Sequence, residues 1–208
     1  MQEQEVIRRC QDGEVWALGT LYETHHRAVF RTSYGIVGRQ QLAEDVTQQV
    51  FIELFSSIGR YDSRRPFPPW LHRIAVSRSL DELRRRKNKL MPLDDAADLR
   101  SNIPSPEEAA ERSEMQAVVQ GAIASLKPEH RAAVVLRYYH GFSETEMSVA
   151  LDCRRGTVKS RLHYALQQLR GALEPIMSPM QKQAAPLAPA IAGLEPCADG
   201  PGSEEQKS

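Results

Sequence analysis

Cysteine is scarce in this chain, which has three cysteines in 208 residues. Cys10, Cys153 and Cys197 are far apart and have no His or Cys partner at a metal-binding spacing. An odd number of scattered cysteines argues against a disulfide framework and against a zinc site. Aromatic residues are also few, at 6%, so we expect a core made mostly of aliphatic side chains.

Long apolar runs are absent as well. No stretch of about 18 apolar residues occurs, so we expect no membrane insertion, and the acidic, polar N-terminus does not resemble a signal peptide. The sequence contains no Ser/His/Asp set, glycine-rich phosphate loop or metal-ligand cluster. We therefore expect a cytoplasmic protein that is not an enzyme and needs no cofactor. His25 and His26 are predicted to be a surface pair rather than a metal site, because adjacent helix positions point in different directions.

The formal net charge is zero, which is unusual for a nucleic-acid-binding protein. The charges are nevertheless strongly segregated along the chain. Residues 60–89 contain ten basic and three acidic residues, and residues 154–170 contain five basic residues and no acidic one. Between these blocks, residues 94–114 contain seven acidic and two basic residues. This pattern predicts two polyanion-binding surfaces and a connector that avoids the polyanion.

Apolar residues recur at helical spacings, and strand-like alternation is absent. From Leu42 to Ile58 they are spaced by three and four, which predicts an amphipathic helix. We predict an all-α fold of two small helical domains joined by a flexible linker. The predicted divisions are a first domain at residues 10–90, an acidic, proline-containing linker at 91–106, a second domain at 107–175 and a disordered tail at 176–208.

The strongest local signal lies in the second domain. Pro128 suits the first turn of a helix, and Gly141 suits a left-handed C-cap at its end. Ser143 and Glu146 form an S-x-x-E capping box, which predicts a short second helix. A tight turn at 152–155 then leads to a helix with one apolar and one basic face. We interpret this pair of helices as a helix-turn-helix.

The second helix of the motif carries the predicted DNA-binding face. An α-helix fits the major groove, where its N-terminal residues reach base edges and its basic side chains neutralise phosphates. The alternative is that these charges only solvate a surface helix, but the absence of acidic residues favours DNA contact. Cys153 is interpreted as a small apolar residue, and Tyr138, Tyr139 and His140 as core or helix-end residues without a function. The predicted DNA-binding residues are Arg154, Arg155, Thr157, Lys159, Ser160 and Arg161.

Four motifs follow one another along the chain: LYETHHRAVFRTSYGIVG, AEDVTQQVF, WLHRIAVSRSLDELRRRKNK and GTVKSRL. Their order and spacing resemble the extracytoplasmic-function (group 4) sigma factors of the sigma-70 family of bacterial RNA polymerase. The resemblance implies that the first domain is a sigma region 2 helical bundle and the second a sigma region 4 helix-turn-helix. It further implies initiation at specific promoter DNA with core RNA polymerase, bound through its beta-prime and beta subunits. An anti-sigma factor is a further family-based hypothesis.

The resemblance assigns a polymerase-binding role to residues 43–51. This stretch resembles the helix that docks on a coiled coil of the beta-prime subunit. The family usually has Glu at the position of Gln49, so one ionic contact is replaced by an amide that can still form hydrogen bonds. The alternative is an ordinary solvated helix face. The predicted core-polymerase-binding residues are Asp45, Gln48, Gln49 and Phe51.

Residues 70–89 resemble the part that recognises and opens the −10 promoter element. Opening DNA requires basic charge and a surface on which an extruded base can rest. Trp70 is a candidate stacking platform, although its helical register favours a core position. The family commonly has Arg-Asn where this chain has Val76-Ser77, so the −10 sequence preference transfers less well than the fold. The predicted −10-binding residues are Trp70, Arg73, Arg78, Arg84, Arg85, Arg86 and Lys87.

Asp152 and Asp81 lie at two further positions of the family pattern. Asp152 occupies the position that glycine usually holds before the recognition helix, and we expect the turn to survive because Asp tolerates the left-handed conformation. Asp81 matches a family Asp and is expected to orient neighbouring arginines rather than to touch DNA.

Two other functions stay open at this point. A free-standing helix-turn-helix regulator with a helical N-terminal domain would share the second domain, but it does not explain the basic block at residues 73–89. Such a regulator need not bind core polymerase in stoichiometric amount. A helical adaptor without a DNA role would bind promoter DNA weakly and with little salt dependence, whereas a DNA-binding protein loses affinity steeply as salt rises.

Overall fold

The computed structural model describes residues 2–88 and 118–180, so the predicted linker and most of the predicted tail lie outside the described residues. Every regular element in those two ranges is a helix, as the sequence predicts. The elements are α1 (Glu3–Gln11), α2 (Val15–Val37), α3 (Gln40–Ser57), a short 3₁₀ helix (Ile58–Arg60), α4 (Phe67–Asn88), α5 (residues 118–125), α6 (Pro128–Tyr138), α7 (Glu144–Ala150) and α8 (Arg155–Met180).

Helices α2, α3 and α4 pack against one another and form the core of the first domain. Leu21, Val50, Leu54 and Leu71 are completely or almost completely buried there, which confirms the predicted aliphatic core. Each such leucine stabilises the fold by about 1.5–3 kcal/mol through removal of its side chain from water. Gly38 ends α2 in the left-handed conformation (φ 72°) and donates its N–H to the carbonyl of Tyr34, which allows α3 to turn back immediately.

Most of helix α1 lies before residue 10, the predicted start of the first domain. It buries Val6, Ile7 and Cys10 in the same core, and the ring of His25 bonds to the carboxylate of Glu3 at 2.8 Å. The side-chain amide of Gln11 donates to two backbone carbonyls beyond α3. The sequence prediction missed this helix because nine mostly polar residues give too short a window for a periodic signal.

The second domain contains the predicted helix-turn-helix. Gly141 has φ 65°, and Ser143 and Glu146 form both halves of the capping box at the start of α7. Asp152 is the one non-glycine residue with positive φ (46°) among the described residues, as its position before the recognition helix predicts. Arg155 then begins α8. The local signals in the sequence are therefore confirmed.

Helix α8 is longer than the sequence predicts. It continues past Pro175 to Met180, although residues 176–208 were predicted to form a disordered tail. A proline inside a helix removes one backbone donor, but the helix can continue where that lost hydrogen bond is tolerated. The remainder of the predicted tail, residues 181–208, lies outside the described residues.

The two domains share one hydrophobic cluster, which the sequence did not predict. Helix α7 packs on α4, and α6 packs on α2. Ile36 and Val76 of the first domain are buried together with residues of the second. The two domains pack tightly at Gly35, where an added Cβ would lie 2.6 Å from Cγ2 of Val135. The second-domain residues of this shared hydrophobic cluster are Ala132, Ala133, Leu136, Phe142, Met147, Ala150, Leu151 and Val158.

Polar contacts also cross between the domains. The guanidinium of Arg131 donates to the carbonyl of Ile36 at the end of α2, and to three carbonyls at the end of α5. Burial lowers the pKa of Arg131, although its donors are satisfied by backbone oxygens. Arg84 on α4 lies 3.8 Å from Glu129 on α6. The structure therefore describes a closed arrangement, in which the second domain covers part of α2 and α4.

Candidate nucleic-acid interfaces

The first turns of α8 carry the predicted −35 surface. Arg154, Arg155, Lys159 and Ser160 are exposed. The carboxylate of Glu144, on α7, lies 3.7 Å from the guanidinium of Arg155 and 3.6 Å from Nζ of Lys159. These pairs are exposed, so each contributes at most about 1 kcal/mol and can exchange for a phosphate at low cost.

Two of the predicted −35 residues are only half exposed. Thr157 is partly buried, and the guanidinium of Arg161 turns back toward Cys153, with Nη1 3.8 Å from Sγ. Cys153 packs against the hydrophobic cluster between the domains, and burial raises the pKa of its thiol. This placement agrees with the interpretation of Cys153 as a small apolar residue.

The predicted −10 residues are divided between two sides of α4. Arg78 pairs with Glu53 on α3, so it faces the first domain, and both side chains stay partly exposed. Arg73 lies 3.9 Å from Asp152 in the turn before α8, so it faces the second domain. Lys87 is exposed at the end of α4. The basic block of the sequence is therefore not one continuous face in the closed arrangement.

A carboxylate that the sequence analysis did not single out organises the end of α4. Glu82 is almost fully buried and pairs with Arg85 at 2.8 Å and with Arg86 at 3.0 Å. Burial opposes ionisation of this carboxyl, but its hydrogen bonds with the two guanidinium groups outweigh that effect and lower its pKa. Asp81 makes a 3.3 Å contact with Arg84, in keeping with the orienting role expected for it.

Trp70 lies at the edge of the core of the first domain. Its ring centre is 5.0 Å from that of Tyr61 and 5.9 Å from that of Phe67, and its side chain is partly buried. This position agrees with the core register noted in the sequence. One edge stays accessible, so a stacking role for Trp70 stays a prediction.

Helix α3 presents the predicted polymerase-binding face. Asp45, Gln48 and Gln49 are exposed, but Phe51 is buried and packs edge-on against Tyr22 with ring centres 4.8 Å apart. Phe51 lies three residues after the exposed Gln48, so spacing alone does not place it in the core, and its burial comes from its packing against α2. Phe51 is only 6% exposed in this arrangement, and its assignment to the polymerase-binding face stays a prediction.

The exposed face of α3 continues through two large apolar residues that the sequence analysis did not assign to it. Ile52 is 71% exposed and Phe55 is 46% exposed. They follow Gln48 and Gln49 at helical spacing, and this continuation is the signal that could have found them. Exposed apolar side chains next to polar ones are typical of a protein-binding surface. We call the five residues Asp45, Gln48, Gln49, Ile52 and Phe55 the α3 stripe.

Other kinds of site are not seen in the part of the chain that the structure describes. Residues 2–88 and 118–180 contain no cluster of three or more His, Cys, Asp or Glu side chains arranged to hold a metal ion. Within the same ranges, no helix combines the length and the apolar character needed to cross a membrane.

Comparisons with known proteins divide the chain in the same way. A family model described as "Sigma-70 region 2" matches residues 21–89, and one described as "Sigma-70, region 4" matches residues 116–169. The chain is 40% identical over 156 residues to the ECF RNA polymerase sigma factor SigE of Mycolicibacterium smegmatis. That match covers 74% of this chain and 60% of the relative, which is the longer protein.

Two further comparisons cover nearly the whole of the related chain. The ECF RNA polymerase sigma factor SigL of Mycobacterium tuberculosis is 32% identical over 166 residues, which is 77% of this chain and 91% of that protein. A solved structure of the sigma factor RpoE in complex with the anti-sigma factor NepR from Bartonella quintana has a TM-score of 0.62 at 18% identity. It covers 75% of this chain and 96% of that chain, and the likeness is one of fold.

Proposed function

Because this chain belongs to the extracytoplasmic-function group of the sigma-70 family, and so is an RNA polymerase sigma factor, we propose which of its surfaces perform transcription initiation. The first domain binds core polymerase and the −10 element, and the second binds the −35 element. The observation that carries this proposal is that one chain presents both the α3 stripe and the basic first turns of α8.

The α3 stripe is the docking surface for core polymerase. Its polar half can form hydrogen bonds, and its apolar half can be buried on binding, which is the usual composition of a protein interface. Of the two apolar side chains in the stripe, Ile52 has the larger exposed fraction (71%), so we expect its burial against the polymerase to stabilise the complex. Phe51 supports the stripe from within the core.

The first turns of α8 are the surface that binds the −35 element. Arg154, Arg155, Lys159 and Ser160 stand exposed at the end of the helix that can enter the major groove. Thr157 and Arg161 flank this group from partly buried positions. Replacement of a base-contacting arginine costs about 1–3 kcal/mol in binding and relaxes specificity at that base.

The basic residues of α4 bind the −10 region. Arg73 and Arg84 pair with carboxylates of the second domain in the closed arrangement, and both pairs are exposed, so each can exchange for a phosphate at low cost. Arg85 and Arg86 are oriented by Glu82, which leaves their remaining donors for the phosphate backbone. The other proposed contacts are Trp70, Arg78 and Lys87.

The protein acts by binding and not by catalysis, in the cytoplasm, where polymerase and promoters are found. It needs no cofactor. Its partners are core RNA polymerase, through the beta-prime and beta subunits, and promoter DNA. An anti-sigma factor is a further partner, and the solved complex of the related RpoE with NepR supports that assignment.

Co-purification with core polymerase tests this proposal against the free-standing regulator. The sigma factor is expected to bind the core enzyme one to one, and Ile52→Asp is expected to weaken that complex. In parallel, binding to promoter DNA should fall steeply between 50 and about 200 mM salt, because released counterions drive phosphate contacts. Failure to bind the core enzyme, with intact DNA binding, would favour the regulator.

A further inference from the structure

Two histidines from different domains meet on one buried threonine. Thr32 lies on α2, His72 on α4, and His140 in the turn that joins α6 to α7. Oγ1 of Thr32 is 2.8 Å from Nδ1 of His72 and 2.8 Å from Nε2 of His140. The two imidazole rings are 4.3 Å apart, centre to centre. We call these three residues the histidine clasp.

The clasp is complete with both rings neutral. The hydroxyl of Thr32 also lies 3.2 Å from the carbonyl of Ala28, to which it can donate its single proton. Its two lone pairs then accept one N–H from each ring, which a neutral imidazole supplies. Phe142 closes the cluster, with its ring centre 5.2 Å from that of His72 and 5.8 Å from that of His140.

No described carboxylate forms an ion pair with either ring. The groups on α2 whose charge acts on the rings are His25 and Arg31, and both oppose protonation. The ring of His140 also opposes protonation of His72. The carboxylates on the other elements packed around α4 are engaged elsewhere, namely Glu53 with Arg78, Glu129 with Arg84, Asp152 with Arg73, Glu144 with Arg155 and Lys159, and Glu146 with the cap of α7.

The surroundings therefore disfavour the charged form of both rings. Burial, together with the neighbouring His140 and His25, holds the pKa of His72 well below 6.5. Burial, together with Arg31, lowers the pKa of His140 to about 4. His72 is only 3% exposed, so water cannot solvate a charge there while the domains stay together.

The closed arrangement cannot engage both promoter elements. Arg73 and Asp152 bring the predicted −10 and −35 surfaces within 3.9 Å of each other. The two elements are about 25 base pairs apart, or about 85 Å at 3.4 Å per base pair of duplex. The domains must therefore separate before the chain spans a promoter, and separation exposes both rings of the clasp to water.

We propose that the histidine clasp is an acid-sensitive latch, which holds the two domains together while both rings are neutral and releases them when the rings are protonated. Its consequence for promoter binding rests on the proposed function. The latch itself is a property of the free chain and can be measured without polymerase or DNA.

The direction of the pH dependence follows from the lowered pKa values. Once the domains separate, each ring returns to a pKa near 6.5 and binds protons that the closed arrangement refuses. The closed arrangement is therefore fully favoured above about pH 7, and its advantage is lost as pH falls below 6.5. Between pH 7.5 and 5.5 each ring shifts the equilibrium toward the open form about tenfold, and the pair about a hundredfold.

Small-angle X-ray scattering of the full chain at pH 7.5 and 5.5 tests the latch. Gly35→Ala supplies the open reference at both pH values, because its added Cβ would collide with Val135 across the interface. We expect the wild-type radius of gyration to match a compact particle at pH 7.5 and to move toward the Gly35→Ala value at pH 5.5. Circular dichroism should show unchanged helix content, since the domains separate without unfolding.

Variants identify the responsible rings. Between pH 7.5 and 5.5, His72→Gln and His140→Gln should each make the shift of the open–closed equilibrium about tenfold smaller than in wild type. The double variant should show almost no shift. His26→Gln, on the same helix as Thr32 but bonded only to carbonyls of its own helix, is the matched control and should respond like wild type. A wild-type chain that keeps one radius at both pH values, a double variant that still expands with acid, or expansion that accompanies loss of helix would each overturn the latch.

Discussion

The carboxylate of Asp152 lies 3.9 Å from the guanidinium of Arg73, across the boundary between the two domains. Asp152 also has φ 46°, in the left-handed region, in the turn before α8. One residue thus forms the turn before the recognition helix and contacts the helix proposed to bind the −10 element. The pair is exposed on both sides, so it contributes no more than about 1 kcal/mol to closure.

Replacement of this charge should strengthen DNA binding. Asp152→Asn keeps a residue that tolerates the left-handed conformation and removes a negative charge beside the DNA-binding surface. We expect affinity for a −35 duplex to rise about 1.4-fold to fivefold at low salt, in line with exposed ionic interactions of about 0.2–1 kcal/mol. Fluorescence anisotropy of a labelled duplex measures this affinity. Asp81→Asn removes a negative charge on α4 instead and is the control. Equal affinities of Asp152→Asn and wild type would remove Asp152 from the electrostatics of this surface.

Close packing at Gly35 should make the interface between the domains sensitive to a single methyl group. Gly35→Ala is expected to destabilise the chain by about 1–3 kcal/mol, because a Cβ cannot fit against Val135 without displacement. Urea unfolding measures the loss. Val135→Ala in the same chain should restore part of it by making room for the new methyl group. A Gly35→Ala chain as stable as wild type would show that the domains are not in contact at this point.

The capping box of α7 should matter to the stability of the second domain. Ser143→Ala removes the side chain that accepts from the backbone N–H of Glu146 and bonds its carboxylate. We expect a loss of about 1 kcal/mol in the free energy of unfolding. Thr145→Ala, at an exposed position of the same helix, controls for a change of helix propensity and should cost less. Equal losses in the two variants would mean that the cap contributes nothing specific.

The apolar half of the α3 stripe should dominate affinity for core polymerase. Ile52→Asp places a charge on a side chain that is 71% exposed, so the free protein should keep its stability. Affinity for the core enzyme should fall about tenfold or more, because loss of a residue that is central to an interface costs about 2 kcal/mol or more. Gln167→Asp, exposed on α8, is the matched control. Unchanged affinity of Ile52→Asp would move the docking surface away from this end of α3.

Local features of this protein could be predicted from its sequence, and long-range ones could not. The capping box, the left-handed Gly141 and the turn at Asp152 each depend on residues a few positions apart, and all three are present. His140 was assigned no function because its partner Thr32 is 108 residues away. The periodicity of either segment does not predict this contact between Thr32 and His140, because the contact depends on how the two helical domains pack against each other.

In helix α3, too, the local pattern could be predicted from the sequence, but the packing of individual side chains could not. Its existence and apolar spacing were predictable, but the motif alone placed Phe51 on the binding face. In the structure, the ring of Tyr22 on α2 packs against Phe51, whereas Ile52 is exposed to solvent. A one-residue difference in register rotates a helix position by about 100°. Sequence motifs therefore locate this surface to within a turn and not to a side chain.

Initiation in vitro by core polymerase on a library of genomic fragments brings the proposed surfaces together in one reaction. The chain should start transcripts that core polymerase alone does not make. At promoters with a −35 element, Arg155→Ala and Arg161→Ala should each reduce initiation by about fivefold or more, as expected for loss of 1–3 kcal/mol of DNA contact. Identical transcripts with and without the chain, at a concentration where it is folded, would contradict its action as a promoter-recognising subunit.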